Sequence, residues 1–552
     1  MVNLGIDFGS TYTLISHYRN DRQTPEAISL DNISPYIPSV VSYNKRKNEY
    51  KFGKAAKNLT GNKNIIIYKA FKMLLNEQMD EENLRARNYD EVNTPEKIAS
   101  YFLEKVLKSA LAKIGEERIG RLVVGVPEVW GQSLNTFDGR TTLSRICSEF
   151  DFVETAEVVS EPAAASAFFA YNYQQIRHES FEGRVLLIDY GGGTLDITLT
   201  KVLSGGDNME VKVEKRDGAG ENTEKEIGNA GIKYMEKVID RAIHATDEWK
   251  DAGELPYDGD FLRAVDELEE ALMSDAETVE DTFKELEFMP DALDDEEFLE
   301  VSYKGDSVIV TYRHLKDIYD EIIYSVLKEK LEAVTDGVNT YEDNFKIGIV
   351  GGFGNFYLVK KQIYDMFEIS SRDERTEGII VNSEDRERAI SLGAVLLSDR
   401  LITIRKTADF SIGIYAFRAD GAIAKYYAIH YRQELEYDKI YCANDAAGHA
   451  VPYYTPTGKF DKFLVNFSDN EQDAFGARPR TELAEKLVGV VDNEMMMAAV
   501  GFSIDATDAV SIHIFDYDWE TGSRSEKPVR SVRLATIKSM FDVVSLQAGG
   551  ED

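Results

Sequence analysis

Apolar and polar residues alternate on both sides of two short glycine turns, and this pattern predicts two β-hairpins. The first hairpin covers residues 2–18 around the turn at Gly9, and the second covers residues 185–201 around the turn at Gly191. A period of two is typical of strands, and glycines allow a tight reversal of the chain. We therefore expect a strand, a turn and a returning strand at both places.

The residues between the two hairpins predict a further strand and a helix. Leu122–Pro127 is an apolar run typical of a buried strand, and Ala163–Tyr171 is typical of a helix. Two hairpins of one design, separated by such elements, predict a duplicated α/β architecture. In that architecture Asp7 and Asp189 occupy equivalent strand ends.

The C-terminal part of the sequence follows a different pattern. Short β-type runs such as Ile412–Phe417 and Val510–Phe515 are separated by Gly, Asp and Asn turns. This pattern is typical of a β-sandwich. We predict a first domain over residues 1–400, a linker over 401–408, a β-sandwich domain over 409–546 and a loose tail over 547–552.

An acidic stretch interrupts the first domain at about residues 216–300. Residues 251–300 contain 20 acidic residues and only two basic ones, Arg263 and Lys284. Apolar positions such as Phe261, Val265 and Leu268 recur there at helical spacing. We therefore predict an insert of amphipathic helices with a solvated acidic face.

Composition narrows the class of protein. The 552 residues are 43% hydrophobic and 29% charged, as in ordinary folded proteins of several domains. The formal net charge of −35 disfavours nucleic acid and anionic membranes as partners. Two cysteines are too few for a disulfide framework, and the first residues lack the basic and apolar regions of a signal peptide. We expect a cytoplasmic protein.

The two glycine turns have the chemistry of phosphate-binding loops. Gly, Ser and Thr in tight turns present backbone N–H groups without blocking a ligand. Asp7 and Asp189 precede these turns, and Mg²⁺ that bridges phosphates is held by one or two carboxylates and by water. The pattern predicts two aspartates around one hydrated metal ion.

A third glycine turn follows the apolar strand-like residues before Gly351. Gly351, Gly352 and Phe353 precede a helix expected to begin near Phe356, so the backbone can approach a nucleoside there. The sequence contains neither Gly-x-x-x-x-Gly-Lys-Ser/Thr nor Gly-x-Gly-x-x-Gly. The P-loop and dinucleotide-binding classes are therefore disfavoured.

Four motifs together resemble the seventy-kilodalton heat-shock (DnaK-type) chaperone family of the actin-like ATPase superfamily. They occur in the family's order and spacing over roughly residues 1–400: Asp7–Thr11, Ser160–Ala165, Asp189–Asp196 and Val350–Gly352. The resemblance implies a two-lobed, ribonuclease-H-like ATPase domain, a peptide-binding sandwich, and ATP or ADP with Mg²⁺ as cofactors. No long helical lid follows the predicted sandwich.

The resemblance also implies roles for individual residues. Asp7 and Asp189 would hold magnesium through water, Thr194 would face the γ-phosphate, and Glu161 would help to orient the attacking water. Lys72 resembles the lysine that reaches the γ-phosphate, although Lys69 competes for that role. The other residues expected at the nucleotide are Gly9, Ser10, Thr11, Tyr12, Gly191, Gly192, Gly193, Ser274, Gly351, Gly352 and Phe353.

For two of these residues, an ordinary structural role outside the nucleotide site stays open at this point. Lys72 is otherwise a solvated lysine, and Glu161 is otherwise a capping carboxylate before Pro162. Only contacts can decide between these interpretations.

Three stretches depart from the family's pattern. Asn135 stands where the chaperones place an arginine beside the γ-phosphate, and Arg140 would need a shifted helix to replace it. The family's adenine clamp uses the side chains of Lys and Arg, whereas the corresponding helix here carries Glu269 and Glu270, followed by Met273 and Ser274. Ser274 is the expected contact with the base. The linker, Leu401–Lys406, is not the usual acidic, leucine-rich one, so coupling between the domains is left open.

The leading hypothesis is a slow, stress-type chaperone ATPase whose β domain engages peptides or proteins. A J-domain-type co-chaperone and a nucleotide exchange factor are the partners that the resemblance implies. The alternatives are an actin-like scaffold or filament protein, a nucleotide binder that no longer hydrolyses and, last, a sugar or acetate kinase. The acidic insert disfavours filament packing because like-charged surfaces repel each other.

Overall fold

The computed structural model shows two compact units. The first comprises Met1–Trp130, Phe137–Val211 and Lys215–Thr403, and the second contains Ile404–Asp552. Asn135 and the tail 547–552 lie outside the described residues. The structure describes residues 1–62, 64–76, 81–127, 130, 139–178, 181–205, 208–220, 230–274, 276–294, 296–342, 344–369, 375, 383–408, 410–417, 422–431, 433–437, 439–445, 448–452, 464–468, 481–482, 498–504, 509–518 and 520–536.

The first half of unit one contains nine strands and five helices in the described residues. The strands are β1 (Val2–Phe8), β2 (Tyr12–Arg19), β3 (Thr24–Ala27), β4 (Ile37–Pro38), β5 (Val41–Asn44), β6 (Glu49–Phe52), β7 (Ile65–Tyr68), β8 (Ile119–Val126) and β9 (Val153–Ser160). The helices are α1 (Lys54–Lys57), α2 (Glu81–Ala86), α3 (Pro95–Ile114), α4 (Gly139–Ser148) and α5 (Glu161–Arg177), with a 3₁₀ turn at Met73–Leu75.

The second half of unit one repeats this mixture of strands and helices. The strands are β10 (Gly183–Tyr190), β11 (Leu195–Gly205), β12 (Asn208–Ala219), β13 (Glu297–Tyr303), β14 (Asp306–Thr311) and β15 (Phe345–Val350). The helices are α6 (Gly231–His244), α7 (Gly259–Ser274), α8 (Ala276–Leu286), α9 (Tyr312–Ile322), α10 (Tyr324–Thr335), α11 (Tyr357–Met366) and α12 (Ser383–Ser398), with 3₁₀ turns at Pro290–Asp294 and Phe353–Asn355. Within the described ranges, no helix combines the length and the apolar character that crossing a bilayer requires.

The two halves share one strand-pairing pattern. In the first sheet, ordered β3-β2-β1-β8-β9, the antiparallel hairpin β1–β2 continues into parallel pairing of β1 with β8. In the second, ordered β15-β10-β11-β12, the hairpin β10–β11 is antiparallel and β10 pairs with β15 in parallel. Asp7 pairs with Leu14 and Asp189 with Asp196, so both aspartates lie just before their hairpin turns. The predicted hairpins at 2–18 and 185–201 are confirmed.

The acidic stretch forms amphipathic helices in the second half. α7 buries residues including Phe261, Val265 and Leu268, and α8 buries Val279 and Phe283. These side chains join one hydrophobic core with the strands of the second sheet. Carboxylates such as Asp281 are exposed, whereas Asp266 and Glu269 are largely buried beside Lys69 and Lys57. Apolar burial on one side stabilises each helix although its charges repel each other.

Two helices cross at a point where no side chain separates them. A Cβ placed on Gly393 of α12 would lie 1.7 Å from the carbonyl oxygen of Ala164 in α5. A Cβ on Gly5 of β1 would lie 2.2 Å from the backbone nitrogen of Val395 in α12. Only glycine allows these approaches, so α12 packs directly onto α5 and β1.

Unit two is an all-β unit in its described residues. Its strands are β16 (Ile402–Thr407, beginning at the end of unit one), β17 (Ser411–Phe417), β18 (Ile423–Ile429), β19 (Glu434–Glu436), β20 (Tyr441–Cys442), β21 (Leu464–Ser468), β22 (Thr481–Glu482), β23 (Ala498–Ile504), β24 (Ala509–Asp518), β25 (Ser523–Arg524) and β26 (Arg530–Thr536). β16 pairs with β19. The other strands form antiparallel sheets ordered β18-β17-β21-β22 and β20-β23-β24-β25, with β26 beside β24. Residues of both sheets, such as Ile412 and Ile512, share one buried core.

Candidate functional site

A cavity of about 440 Å³ lies inside unit one, where the two hairpin turns face each other. Its polar end contains the turns and the charged side chains Asp7, Lys72, Glu161 and Asp189. The apolar end is formed by Leu272, Met273, Ala276, Phe353 and Phe356. The remaining predicted site residues on its wall are Gly9, Ser10, Thr11, Tyr12, Gly191, Gly192, Gly193, Thr194, Gly351 and Gly352.

The hairpin turns approach each other so closely that glycine is required on one side. A Cβ on Gly192 would lie 2.5 Å from the hydroxyl oxygen of Thr11, and a Cβ on Gly193 would lie 2.5 Å from that of Ser10. Ser39 fixes the first turn by donating a hydrogen bond of 2.7 Å to the carbonyl oxygen of Gly9. The two turns therefore present their backbone and hydroxyl groups to one shared space.

Three carboxylates and one ammonium group are buried at the polar end. Asp7 is 9% exposed, Glu161 5%, Asp189 4% and Lys72 3%. Lys72 Nζ donates to Glu161 Oε1 over 2.5 Å and also lies 5.8 Å from the centroid of the Trp130 ring. Because buried charges require partners, one ammonium group leaves this cluster with excess negative charge.

The electrostatics of the aspartates reflect that excess charge. Burial, and then the nearby charge of Glu161, raise the pKa of Asp7 to about 7, although Lys72 opposes the shift. Burial, followed by the charges of Glu161, Asp196 and Asp7, raises the pKa of Asp189 well above its ordinary value. Each aspartate thus keeps its proton to a higher pH than an exposed carboxyl group does, and a nearby cation would oppose this shift.

This donor set fits a hydrated magnesium ion. Carboxylate oxygens are hard ligands, and the excess negative charge favours a divalent cation. Asp7 and Asp189 come from equivalent strand ends of the two halves and face the same cavity. They are the residues that would hold the ion.

The contacts separate the two candidate lysines. Lys69 forms an ion pair with Asp266 of α7 and borders a smaller neighbouring pocket. Lys72 borders the main cavity and pairs with Glu161. Ala70 lies between them in a left-handed conformation, with a φ of 52°. Because the backbone reverses at Ala70, the side chain of Lys72 lines the main cavity and that of Lys69 lines the smaller pocket.

Glu161 is the first residue of α5, and its carboxylate accepts the hydrogen bond from Lys72. It therefore lies among charged groups of the cavity, as a positioning partner of the lysine. Arg140 is buried in the first turn of α4 and is not one of the cavity-lining residues in the described chain.

The third glycine turn packs onto the carboxylate of Asp189. Gly351 has a φ of +81°, and a Cβ there would lie 2.5 Å from Asp189 Oδ1. Both its conformation and its surroundings require glycine. The turn thereby joins the polar end of the cavity to the apolar end.

Ser274 is the one predicted site residue that the structure does not bring to the cavity. The lining residues of α7 and α8 are Glu269, Leu272, Met273 and Ala276, which recur at helical spacing on one face. Ser274 follows Met273, is rotated away from that face and is exposed. Leu272 and Ala276 follow Glu269 by three and seven residues, and this helical spacing could have identified them as cavity-lining residues.

Comparison with known proteins decides the family. A family model described as Hsp70 protein matches residues 3–412. The chain belongs to the Hsp70 family. The match covers the entire cavity, so its residues belong to the part of the chain that Hsp70 proteins share.

Similar curated proteins are distant Hsp70 relatives. The "Heat shock cognate 70 kDa protein 3" of Dictyostelium discoideum is 28% identical over 229 residues, which are 37% of this chain and 34% of that protein. The "Chaperone protein DnaK" of Nitrosopumilus maritimus is 24% identical over 387 residues, which are 69% of this chain and 55% of that protein. That of Methanothermobacter thermautotrophicus is 26% identical over 272 residues, covering 49% and 40%. The chain thus spans between about a third and just over half of the length of these relatives.

Proposed function

We propose that the chain is a chaperone-type ATPase that binds ATP or ADP with Mg²⁺ in the cavity of unit one. The observation that supports this most strongly is the meeting of both hairpin turns with Asp7, Glu161, Asp189 and Lys72 around one space. Phosphoryl transfer depends chiefly on positioning and on compensation of charge, which these groups supply.

Each residue has a role that its position supports. Turn backbones at Gly9–Thr11 and Gly192–Thr194 donate N–H groups to the phosphates, and Thr194 faces the terminal one. When bound, Mg²⁺ would neutralise phosphate charge between Asp7 and Asp189. Lys72 contributes a buried positive charge near the terminal phosphate, and Glu161 holds that lysine and orients the attacking water.

Unit two would engage a peptide or protein. We propose the domain boundaries expected from the sequence: an ATPase domain over 1–400, a linker over 401–408 and a β-sandwich over 409–546. The two antiparallel sheets with a shared core support the sandwich. A J-domain-type co-chaperone and an exchange factor would be the regulatory partners.

Single-turnover hydrolysis of ATP tests the proposal. Asp189→Asn removes a metal-holding carboxylate, so we expect a loss of hydrolysis of at least about 100-fold. The matched control is Asp281→Asn, which changes an exposed aspartate of α8 outside the cavity and leaves hydrolysis unchanged. Equal rates for the wild type and Asp189→Asn would contradict the site.

The same preparations distinguish the alternative functions. Tight binding of Mg-ATP by calorimetry without turnover would identify a nucleotide binder that does not hydrolyse. An increase in light scattering on addition of ATP would instead favour a filament-forming protein. Nucleotide-dependent protease cleavage around residue 405 would support coupling between the ATPase and β domains.

A further inference from the structure

The buried ammonium group of Lys72 has one carboxylate and two aromatic rings as neighbours. Nζ donates to Glu161 Oε1, its hydrogen-bond partner within the described residues, and lies 6.0 Å from the ring centroid of Phe8 and 5.8 Å from that of Trp130. The face of an aromatic ring attracts a cation at about this distance. Because an ammonium group carries three N–H donors, the bond to Glu161 leaves further donors for a ligand.

Phe8 is a fixed part of these surroundings. It is the last residue of β1 and is fully buried, and its ring centroid lies 6.0 Å from those of Phe71 and Phe102. A ring that packs against several others loses contacts when it turns. The core of the first half therefore sets the position of this ring, and the lysine side chain adapts to it.

Trp130 is held in place by packing. It is 1% exposed, and a Cβ placed on Gly139 of α4 would lie 2.8 Å from its Cε3 atom. Gly139 is fixed in turn, because its backbone N–H donates over 3.1 Å to Oδ1 of the buried Asn76. The indole Nε1 atom has no hydrogen-bond partner within the described residues. The indole therefore acts here as an aromatic surface and not as a hydrogen-bond donor.

The two rings leave the cavity side of the lysine open. Lys72 lines the cavity, whereas Phe8 and Trp130 are not among the described residues that line it. A second carboxylate in their place would compete with a phosphate for the N–H donors of the lysine. A ring attracts the positive charge without taking up those donors in a strong hydrogen bond.

We propose that Trp130 is a positioning residue for hydrolysis: with Phe8 it forms an aromatic cradle that holds the ammonium group of Lys72 where the terminal phosphate binds. The inference rests on the proposed ATPase function and adds to it a residue outside the cavity wall. Trp130 acts through the lysine and touches no ligand. It should therefore affect the rate of ATP hydrolysis and not the affinity for Mg-ADP, which lacks the terminal phosphate.

Single-turnover hydrolysis of ATP and calorimetry with Mg-ADP test this on the full chain. Trp130→Leu keeps an apolar side chain but removes the ring, so we expect hydrolysis to fall by about tenfold and the dissociation constant for Mg-ADP to stay unchanged. Trp130→Phe keeps an aromatic face and loses no indole hydrogen bond to the described residues, so it should retain most of the hydrolysis. Thermal unfolding shows that each variant is folded.

A double-mutant cycle separates positioning of the lysine from a general loss of packing. In Lys72→Met the cradle has no cation to hold, so adding Trp130→Leu should leave the residual rate of hydrolysis unchanged. A further fall of that rate would show that Trp130 acts independently of the lysine, and it would overturn the inference.

Trp249→Leu is the matched control. The Trp249 ring centroid lies 5.5 Å from Nζ of Lys304, and neither residue is among the described residues that line the cavity, so hydrolysis should be unchanged. Equal rates for the wild type and Trp130→Leu, or an equal loss in Trp130→Phe and Trp130→Leu, would overturn the inference while leaving the ATPase function intact. Absence of hydrolysis in the wild type would overturn the proposed function itself.

Discussion

The polar end of the cavity takes its lining from both halves of the duplicated fold, whereas the apolar end takes it from the second half. Asp7, Lys72 and Glu161 face Asp189 and Thr194 across the polar end. Met273 and its neighbours belong to α7, α8 and the residues after β15. A substitution at the polar end alters contacts between the two halves, so each residue there limits which side chains can stand opposite it. At the apolar end, Leu272, Met273 and Phe353 all come from the second half, so a change among them alters the wall that one lobe supplies.

The largest expected effect of breaking this arrangement comes from Lys72→Met. The change leaves three buried carboxylates without their ammonium partner, and we expect a loss of about 3 kcal/mol in unfolding free energy. Hydrolysis should fall by at least about 100-fold. Urea unfolding and single-turnover kinetics measure the two effects.

Two further variants isolate the role of the lysine. Lys72→Met combined with Glu161→Gln should recover stability but not hydrolysis, because it removes the unpaired carboxylate and still lacks the positive charge. Lys69→Met, whose lysine pairs with Asp266 outside the main cavity, should retain most of the hydrolysis. Loss of activity in Lys69→Met with normal activity in Lys72→Met would reverse the assignment of the two lysines.

An intermediate effect is expected from Gly192→Ala or Gly193→Ala. The added methyl group would meet a hydroxyl of the opposite turn, and the overlap should weaken Mg-ADP binding by about tenfold. Calorimetry measures the change. Gly253→Ala is the control, because a Cβ there meets nothing within 4 Å. If all three variants bound Mg-ADP equally, the two turns would not share one ligand.

The smallest expected effect concerns pH and Asp7→Asn. Because the folded pKa of Asp7 is raised from 3.8 to about 7, the native state holds a proton over a range in which the unfolded chain has lost it. Asp7 therefore lowers the stability of the ligand-free protein as the pH rises from about 4 to about 7. Asp7→Asn should raise the Tm by roughly 2 °C or more at pH 8, with little difference near pH 4.

Thermal unfolding over this pH range, with and without Mg-ADP, measures the effect. Bound Mg-ADP should favour the wild type and reverse the order of the two proteins at pH 8. A Tm difference that is the same at every pH would show that the charge of Asp7 does not cause it.

Local patterns were sufficient to predict the hairpins and their glycine turns. Alternation over a few residues determines which strand face is buried, and a turn of glycines next to Asp7 or Asp189 is visible without any tertiary information. Fifteen of the sixteen predicted site residues line one cavity; the exception is Ser274.

The remaining features depend on packing between distant elements. A shift of one residue on α7 changes which side chains reach the cavity, and the burial of Phe261, Val265 and Leu268 in the core of the second half sets that rotation. Similarly, the sequence could not separate Lys69 from Lys72, since the left-handed Ala70 between them is set by the fold. The partners of both lysines are far away along the chain.

The crossing of α5 and α12 at Gly393 has a mechanical consequence. With backbone touching backbone there, a side chain at position 393 would force α12 away from Ala164. The same helix presses on β1 at Gly5, two residues before Asp7. A substitution that displaced α12 at either glycine would therefore also displace the strand that holds the Asp7 carboxylate.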